Sequence, residues 1–327
     1  MRCRSFAMVV AVAAAGALLV PAAAGAQTAE TPRTAWGAPD LQGVWDFRSL
    51  TPMERPAELA DQEVFTSEQA ASFSEEILLE RSRDQEDAEA AAAAGRVVAY
   101  NDFWFDWGSS VTTDRTSLIV EPRDGRIPAL TAAAERRVAA REAARAGVGR
   151  DEVAPGGWID ELSPSVRCIT GFNQGPPMTP SAYNNNMQLF QTEDHVVILN
   201  EMVHDARIVP LDGRPQLATD LRQWIGSSRG HWDGDTLVVE TVNRRDESFR
   251  GATRHLRLTE RFTRADADTL VYEATLDDPT TWTRPWTFVV PMVRNAGEVY
   301  EYACHEGNYY MANMLRAQRA EEQAAAK

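Results

Sequence analysis

The sequence predicts a mainly β fold, an antiparallel β-barrel or sandwich with two or three peripheral helices. Between residues 187 and 302, short apolar and β-branched runs alternate with turn residues, which is the pattern of a meander. The whole chain contains about nine or ten such runs with short connections. Strands and helices do not alternate along the chain, so a doubly wound α/β fold is not predicted.

Residues 1–26 are typical of a secretory signal peptide. A short basic start, Met1-Arg2-Cys3-Arg4, precedes an alanine-rich apolar run that ends in Ala24-Gly25-Ala26. The alternative is a membrane anchor, but Pro21 interrupts the run and no stop-transfer flank follows it. We therefore expect a periplasmic or secreted protein that is not inserted in the membrane after cleavage.

The remaining residues, 27–327, are enough for a single β-rich domain with helical insertions. The formal net charge of the chain is −15, and loss of Arg2 and Arg4 with the signal peptide takes it to −17. Lys327 is the only lysine, and the sequence has no basic patch that would attract phosphates. Nucleic acid is therefore not an expected partner.

The first strand and the first helix have recognisable signals. Residues 39–46 predict a strand that carries a Gly-x-Trp motif. Thr66 and Gln69 have the spacing of a capping box, a hydroxyl cap with Gln three residues on. They predict a helix at about 67–94 that Gly95 ends.

The rest of the chain is predicted to be mostly β, interrupted by a second helix at 131–146 that Gly147 ends. A polar helix is expected from about Tyr310 to the C-terminal region. The remaining strands are expected at 115–120, 187–191, 195–202, 207–210, 236–242, 256–264, 268–276, 286–292 and 299–305.

Two cysteines remain after signal cleavage, Cys168 and Cys304. Because an exported protein meets an oxidising compartment, this pair favours a disulfide. The alternatives are two free buried thiols or a pair of metal ligands.

Five segments together resemble a group of exported bacterial proteins described as hypothetical. They are residues 39–46, 115–128, 204–207, 234–241 and 304–309. This resemblance implies export and brings no activity with it. More distantly, Gly43-Val44-Trp45 and the meander resemble lipocalin-like β-barrels, in which such a Trp closes one end. That likeness implies a cup that binds an apolar small molecule.

Two glutamates are predicted on the inner face of the barrel. Side-chain alternation places Glu240 on a β-branched face and Glu260 between Leu258 and Phe262. A buried carboxylate needs a partner or a wet cavity, and in such a setting it could act as a general acid or base. The alternative is that each forms a structural ion pair with an arginine. Available arginines are Arg207, Arg257, Arg261 and Arg284.

Two clusters contain candidate catalytic histidines. His204 is followed by Asp205 and Arg207 at the end of a predicted strand, and His305 follows Cys304 where the last strand gives way to a helix. We interpret both histidines as acid–base residues, with the two glutamates as partner carboxylates. Asp205 and Arg207 are expected to bind substrate. The alternatives are that His204 is a structural histidine and that Cys304 and His305 belong to a purely structural disulfide attachment.

The aromatic-rich segment at 100–108 and the end of the chain supply candidate substrate contacts. Trp104, Trp107 and Trp286 are expected to form walls of the cup, with Asn308 and Tyr309 at its rim. The alternatives are a hydrophobic plug beneath a loop for the first two and an ordinary core aromatic for Trp286.

The sequence contains no motif for a metal or an organic cofactor, and none is expected. The five histidines lack the spacing of zinc motifs, and there is no nucleophile elbow, Walker loop or dinucleotide fingerprint. We therefore favour an exported, cofactor-free enzyme that acts on an apolar or aromatic small molecule by acid–base chemistry, of the lyase, hydratase or isomerase type. The alternatives are a non-catalytic periplasmic binding protein for a hydrophobic small molecule and a structural protein whose polar clusters are salt networks.

Overall fold

The structure is a computed structural model that describes residues 31–82, 84, 102–111, 114–145, 147–149, 152–246 and 249–326. The predicted signal peptide lies outside these residues. So do residues 85–94, the second half of the first predicted helix.

Ten strands form one antiparallel sheet. They are β1 (Gly43–Asp46), β2 (Ile119–Glu121), β3 (Asn186–Gln191), β4 (His195–Asn200), β5 (Ala206–Pro210), β6 (Ser227–Asp233), β7 (Thr236–Val242), β8 (Arg257–Arg264), β9 (Thr269–Asp277) and β10 (Trp286–Asn295). Their order is β5-β4-β3-β1-β10-β9-β8-β7-β6, and β2 pairs separately with β10. The prediction of a mainly β, antiparallel chain is confirmed. Within the described residues β5 and β6 are not paired, so a closed barrel is not confirmed.

One face of this sheet covers a continuous core because its side chains alternate strictly along the strands. Leu258, Glu260 and Phe262 of β8 are buried, and Tyr272 of β9 and Phe288 of β10 are buried beside them. Trp45 of β1 is also fully buried and donates its indole N–H to the Leu41 carbonyl at 2.9 Å. The Gly-x-Trp motif therefore belongs to the core.

The sheet curves strongly enough to bring its two end strands close together. A Cβ atom added at Gly230 of β6 would lie 2.7 Å from the Leu211 side chain and 3.0 Å from the Val209 side chain of β5. A larger residue at this position would therefore displace the side chains of Val209 and Leu211 at the opposite end of the sheet.

Three α-helices of the described residues lie outside the sheet: α1 (Ser67–Arg81), α2 (Ala132–Arg145) and α3 (Tyr309–Ala325). The predicted capping box is confirmed, since the Thr66 hydroxyl accepts from Gln69 N at 3.2 Å and the Gln69 side chain accepts from Thr66 N at 2.9 Å. None of the helices in the described part of the chain has the length and apolar character needed to cross a membrane.

The predicted last strand at 299–305 is wrong. Residues 299–303 pair with no strand, and a turn follows at 304–307. The reason is that β10 ends at Asn295, after which the chain leaves the sheet. The predicted disulfide is confirmed: Cys304 is bonded to Cys168 with a Cα–Cα distance of 5.6 Å.

Candidate functional site

A buried ion pair crosses the interior of the curved sheet. Glu260 of β8 is fully buried and accepts two hydrogen bonds from the Arg207 guanidinium of β5, one of them at 3.0 Å. The Tyr272 hydroxyl donates to the same carboxylate at 2.9 Å and accepts from Met178 N at 3.1 Å. Burial raises the pKa of Tyr272 well above its usual value, and the Glu260 charge adds to this effect. The hydroxyl therefore stays protonated and donating.

The geometry matches the alternative interpretation of Glu260, a structural ion pair with Arg207. Arg207 is also buried, so its guanidinium points to Glu260 and not to a substrate in an open cup. The carboxylate thus accepts three hydrogen bonds, two from Arg207 and one from Tyr272.

The predicted inward orientation of Glu240 is wrong. β7 pairs with β8 so that Val239, and not Glu240, lies opposite Glu260. Val239 is fully buried and Glu240 is exposed. The alternation rule failed because Leu237, Val238 and Val239 are all apolar, so the sequence did not distinguish the two faces.

The two predicted catalytic histidines are not in regular strands. His305 is exposed in the turn next to the disulfide. His204 lies in a tight turn between β4 and β5, where Val203 and His204 both have positive φ, 64° and 54°. Its Nδ1 atom is buried and has no hydrogen-bond partner among the described residues. The expected continuous strand through this region is wrong, and it is replaced by the β4–β5 turn.

The predicted substrate contacts lie in different parts of the molecule. Asp205 is half-buried and accepts a hydrogen bond from the Gln174 amide at 2.5 Å. Trp104 is exposed, whereas Trp107 is half-buried beneath the Arg81 guanidinium, 4.6 Å from its ring centre. Trp286 is fully buried in the core, as its alternative interpretation predicted.

The last two predicted contacts lie beside the disulfide. The Asn308 amide donates to the Val166 carbonyl at 3.1 Å, and Tyr309 is exposed at the start of α3. Asn308 therefore holds the disulfide-bonded segment in place instead of forming the rim of a cup.

A large cleft lies outside the sheet interior, at the connection between β7 and β8. It has a volume of about 1380 Å³ and lies between α2, the segment 160–177 and residues 244–246 and 249–251. None of the predicted site residues lines it. The segment 160–177 includes Cys168, so the disulfide and Asn308 fix one wall of the cleft.

Arginines from several elements line this cleft. Arg137, Arg141 and Arg145 of α2 are spaced by four residues and therefore lie on one face of the helix. Arg244 and Arg245 form part of the opposite wall. Acidic residues are fewer among the described lining residues: Glu142, Asp160, Glu161 and Asp246.

Arg244 is the unusual member of this set because it is buried. It is 6% exposed, one nitrogen donates to the Pro176 carbonyl, and its Nε atom has no partner among the described residues. Burial and, to a lesser extent, the charge of Arg207 lower the pKa of Arg244 to about 10, although the charge of Glu260 partly offsets them. No carboxylate of the described chain forms an ion pair with it.

Aromatic rings complete the cleft walls. The Trp224 ring lies between two guanidinium groups, 4.5 Å from Arg245 and 5.6 Å from Arg167. Phe249 lies on the core side and stacks on Trp286 with ring centres 6.3 Å apart. The cleft therefore combines cationic and flat apolar surfaces.

The sequence carried one signal for this site that the prediction did not use, the four-residue spacing of arginines on α2. Arg244 and Trp224 had no comparable signal, because only the tertiary fold buries them together. Among the described residues, no group of three or more His, Cys, Asp or Glu side chains is arranged to hold a metal.

No protein-family model, no curated protein and no solved structure matches this chain. A function is therefore argued from the residues of the chain and their geometry.

Proposed function

We propose that the protein binds an organic small molecule in the cleft between α2 and the β7–β8 connection. The observation that carries the proposal is the cleft itself, whose volume of about 1380 Å³ exceeds that of a typical drug-sized site, roughly 300–1,000 Å³. Its walls combine apolar and aromatic side chains with many arginine, carboxylate and hydroxyl groups, so a ligand can find both apolar contacts and hydrogen-bond partners there.

Two structural features support a preformed site. The disulfide and the Asn308 hydrogen bond fix one wall. The helix α2 is attached to the connection between β9 and β10 by hydrogen bonds from the Arg137 guanidinium to the Thr280 carbonyl and the Thr281 hydroxyl, both 3.1 Å. Binding to a preformed cleft costs little free energy for ordering the protein. This supports a binding protein over the favoured enzyme, whose predicted partner Glu260 is already engaged by Arg207.

We infer that this binding protein is exported and that its sheet closes as a lipocalin-like barrel. The disulfide supports export, because such bonds persist in oxidising compartments. The close approach of β5 and β6 at Gly230 supports closure. In this arrangement the barrel interior is filled, and the ligand binds beside it.

Acid–base catalysis of the lyase, hydratase or isomerase type is the second candidate, and His204 is the observation that favours it. Two consecutive non-glycine residues with positive φ, one of them the β-branched Val203, are unusual. Such backbone strain is concentrated at functional sites. If His204 is catalytic, His204→Ala abolishes turnover of a retained ligand but leaves its binding intact.

The binding proposal is tested with substitutions that fill the cleft. Val138 of α2 lines the cleft, whereas the neighbouring Ala139 is exposed and does not. Val138→Trp should weaken binding of an aromatic probe such as 2-naphthoate or 2-naphthamide by about tenfold or more, as measured by isothermal titration calorimetry. Ala139→Trp is the matched control and should leave the affinity unchanged.

Mass spectrometry of small molecules retained by the purified protein identifies the natural ligand. A natural ligand should be lost from Val138→Trp and kept by Ala139→Trp. Equal retention by both variants, together with equal probe affinities, would rule out the cleft as the binding site.

A further inference from the structure

The buried charges that act on Arg244 do not balance. Arg207, Arg244 and Glu260 are each less than a tenth exposed. Two of them are cations and one is an anion, and the anion is bonded to Arg207. A buried charge without a partner is costly, so Arg244 leaves the folded protein with one positive charge that the described residues do not neutralise.

This excess charge lies at the wall of the cleft. Arg244 lines the cleft, together with Phe249 and the Pro176 whose carbonyl holds one guanidinium nitrogen. That hydrogen bond fixes the orientation of the guanidinium but supplies no negative charge. The remaining Nε has no partner among the described residues, so the group keeps unused donor capacity.

The surroundings of Arg244 strengthen its preference for an anion. Arg137, Arg141 and Arg145 approach the same cleft from α2, and together they raise the positive potential inside a concave, partly apolar site. The chain as a whole carries a formal charge of −15. A local cationic cleft on such an acidic protein is therefore a specific feature and not a consequence of composition.

We propose that the ligand of the cleft is an organic carboxylate, whose acid group lies against Arg244 and whose apolar part packs beside Phe249. This inference rests on the proposed binding function and specifies its ligand class. A single carboxylate is favoured because it supplies one negative charge, which matches the one unbalanced charge of the buried cluster. Guanidinium and carboxylate groups are also complementary in shape and hydrogen-bonding geometry.

The test compares two probes that differ only in charge, 2-naphthoate and the neutral isostere 2-naphthamide. Calorimetry at about pH 7 should give the carboxylate an affinity about 10- to 100-fold higher than that of the amide. The preference should fall at high salt and should disappear as the pH is lowered below about 4, where the carboxyl group becomes protonated. Equal affinities of the two probes would overturn the inference.

Variants test whether Arg244 causes the preference for the carboxylate probe over the amide. Arg244→Gln should reduce the ratio of the two affinities to about twofold or less, and Arg244→Lys should restore part of it because it keeps the charge. Arg257→Gln is the matched control, since Arg257 is exposed on β8 and does not line the cleft; its ratio should equal that of the wild type. A full preference in folded Arg244→Gln would also overturn the inference. If Arg244→Gln does not fold, the comparison of the two probes on the wild-type protein decides the question.

The two proposals fail in different ways. If both probes bind with equal affinity and Val138→Trp weakens both, the cleft is the binding site but the ligand class is wrong. If neither probe binds, or Val138→Trp changes neither affinity, both the binding function and the ligand class are wrong.

Discussion

Replacement of Glu260 by glutamine tests the energetic role of the buried ion pair. The substitution keeps the shape of the side chain and one carbonyl acceptor, but it removes the charge that Arg207 faces from β5. Arg207 and Arg244 would then both be buried cations, and the half-buried Asp205 would be the remaining negative charge that acts on Arg207. Removing one partner of a buried pair costs about 3–5 kcal/mol, because the other charge stays buried and uncompensated. The same loss is expected for Glu260→Gln.

Urea denaturation followed by circular dichroism measures this loss as a lower transition midpoint with an unchanged slope. Glu240→Gln is the matched control. It removes the same charge from the adjacent strand, but from an exposed position, and should change the free energy of unfolding by less than about 0.5 kcal/mol. If Glu260→Gln lowers the free energy of unfolding by less than about 1 kcal/mol, Glu260 is not needed to neutralise the buried Arg207.

The remaining predictions concern pH, the disulfide and a glycine. Burial alone would raise the pKa of Asp278, but hydrogen bonds from three threonine hydroxyls and two backbone N–H groups outweigh it, so the pKa is lowered. The ionised Asp278 therefore stabilises the fold fully above its unfolded pKa of about 3.9. The loss of stability caused by Asp278→Asn should be largest at neutral pH and should disappear as the pH falls through the lower pKa of the folded state. Urea titrations at several pH values measure this loss, and a loss that does not depend on pH would contradict the prediction. The double replacement of Cys168 and Cys304 by serine opens a loop with a sequence separation of 136 residues. It should lower the free energy of unfolding by roughly 4–5 kcal/mol on the chain-entropy model. Two free thiols in a titration of the unfolded, unreduced protein would refute the bond. Gly226 has a φ of 84°, and a Cβ atom there would lie 2.6 Å from the Val242 carbonyl oxygen. Gly226→Ala should therefore destabilise the protein by about 1–3 kcal/mol, as measured by thermal or urea unfolding. An unchanged stability would contradict that geometry.

The sequence was informative where a local rule determined the structure. The capping box of Thr66 and Gln69 begins α1 at the predicted residue. Strict alternation in β8 correctly placed Glu260 inside. The pairing of Cys168 with Cys304 was also predicted correctly. In each case the signal lies within a few residues or within a single residue type.

The prediction was wrong where two local rules conflicted. Leu237, Val238 and Val239 offer an apolar side chain on both faces of β7, and only the pairing with β8 decides that Glu240 points to solvent. The run at 299–305 has strand-like alternation, but the chain leaves the sheet after Asn295 and the run pairs with no strand. Tertiary contacts decided both cases.

The cleft could not be predicted because its residues are distant in the sequence. Arg244 follows β7, Pro176 lies in the disulfide-bonded segment, and the arginines of α2 come from a third part of the chain. Local composition marks α2 as a peripheral helix, and its row of arginines is equally compatible with a solvated face. The role proposed for Arg244 depends on its burial, which only the fold provides.

A crystal structure of the protein with bound 2-naphthoate tests the proposed site most directly. We expect the carboxylate to lie within hydrogen-bonding distance of the Arg244 guanidinium, with the rings against Phe249 in the cleft. Density for the ligand inside the curved sheet, or a carboxylate that points away from Arg244, would contradict the proposed site and its ligand class.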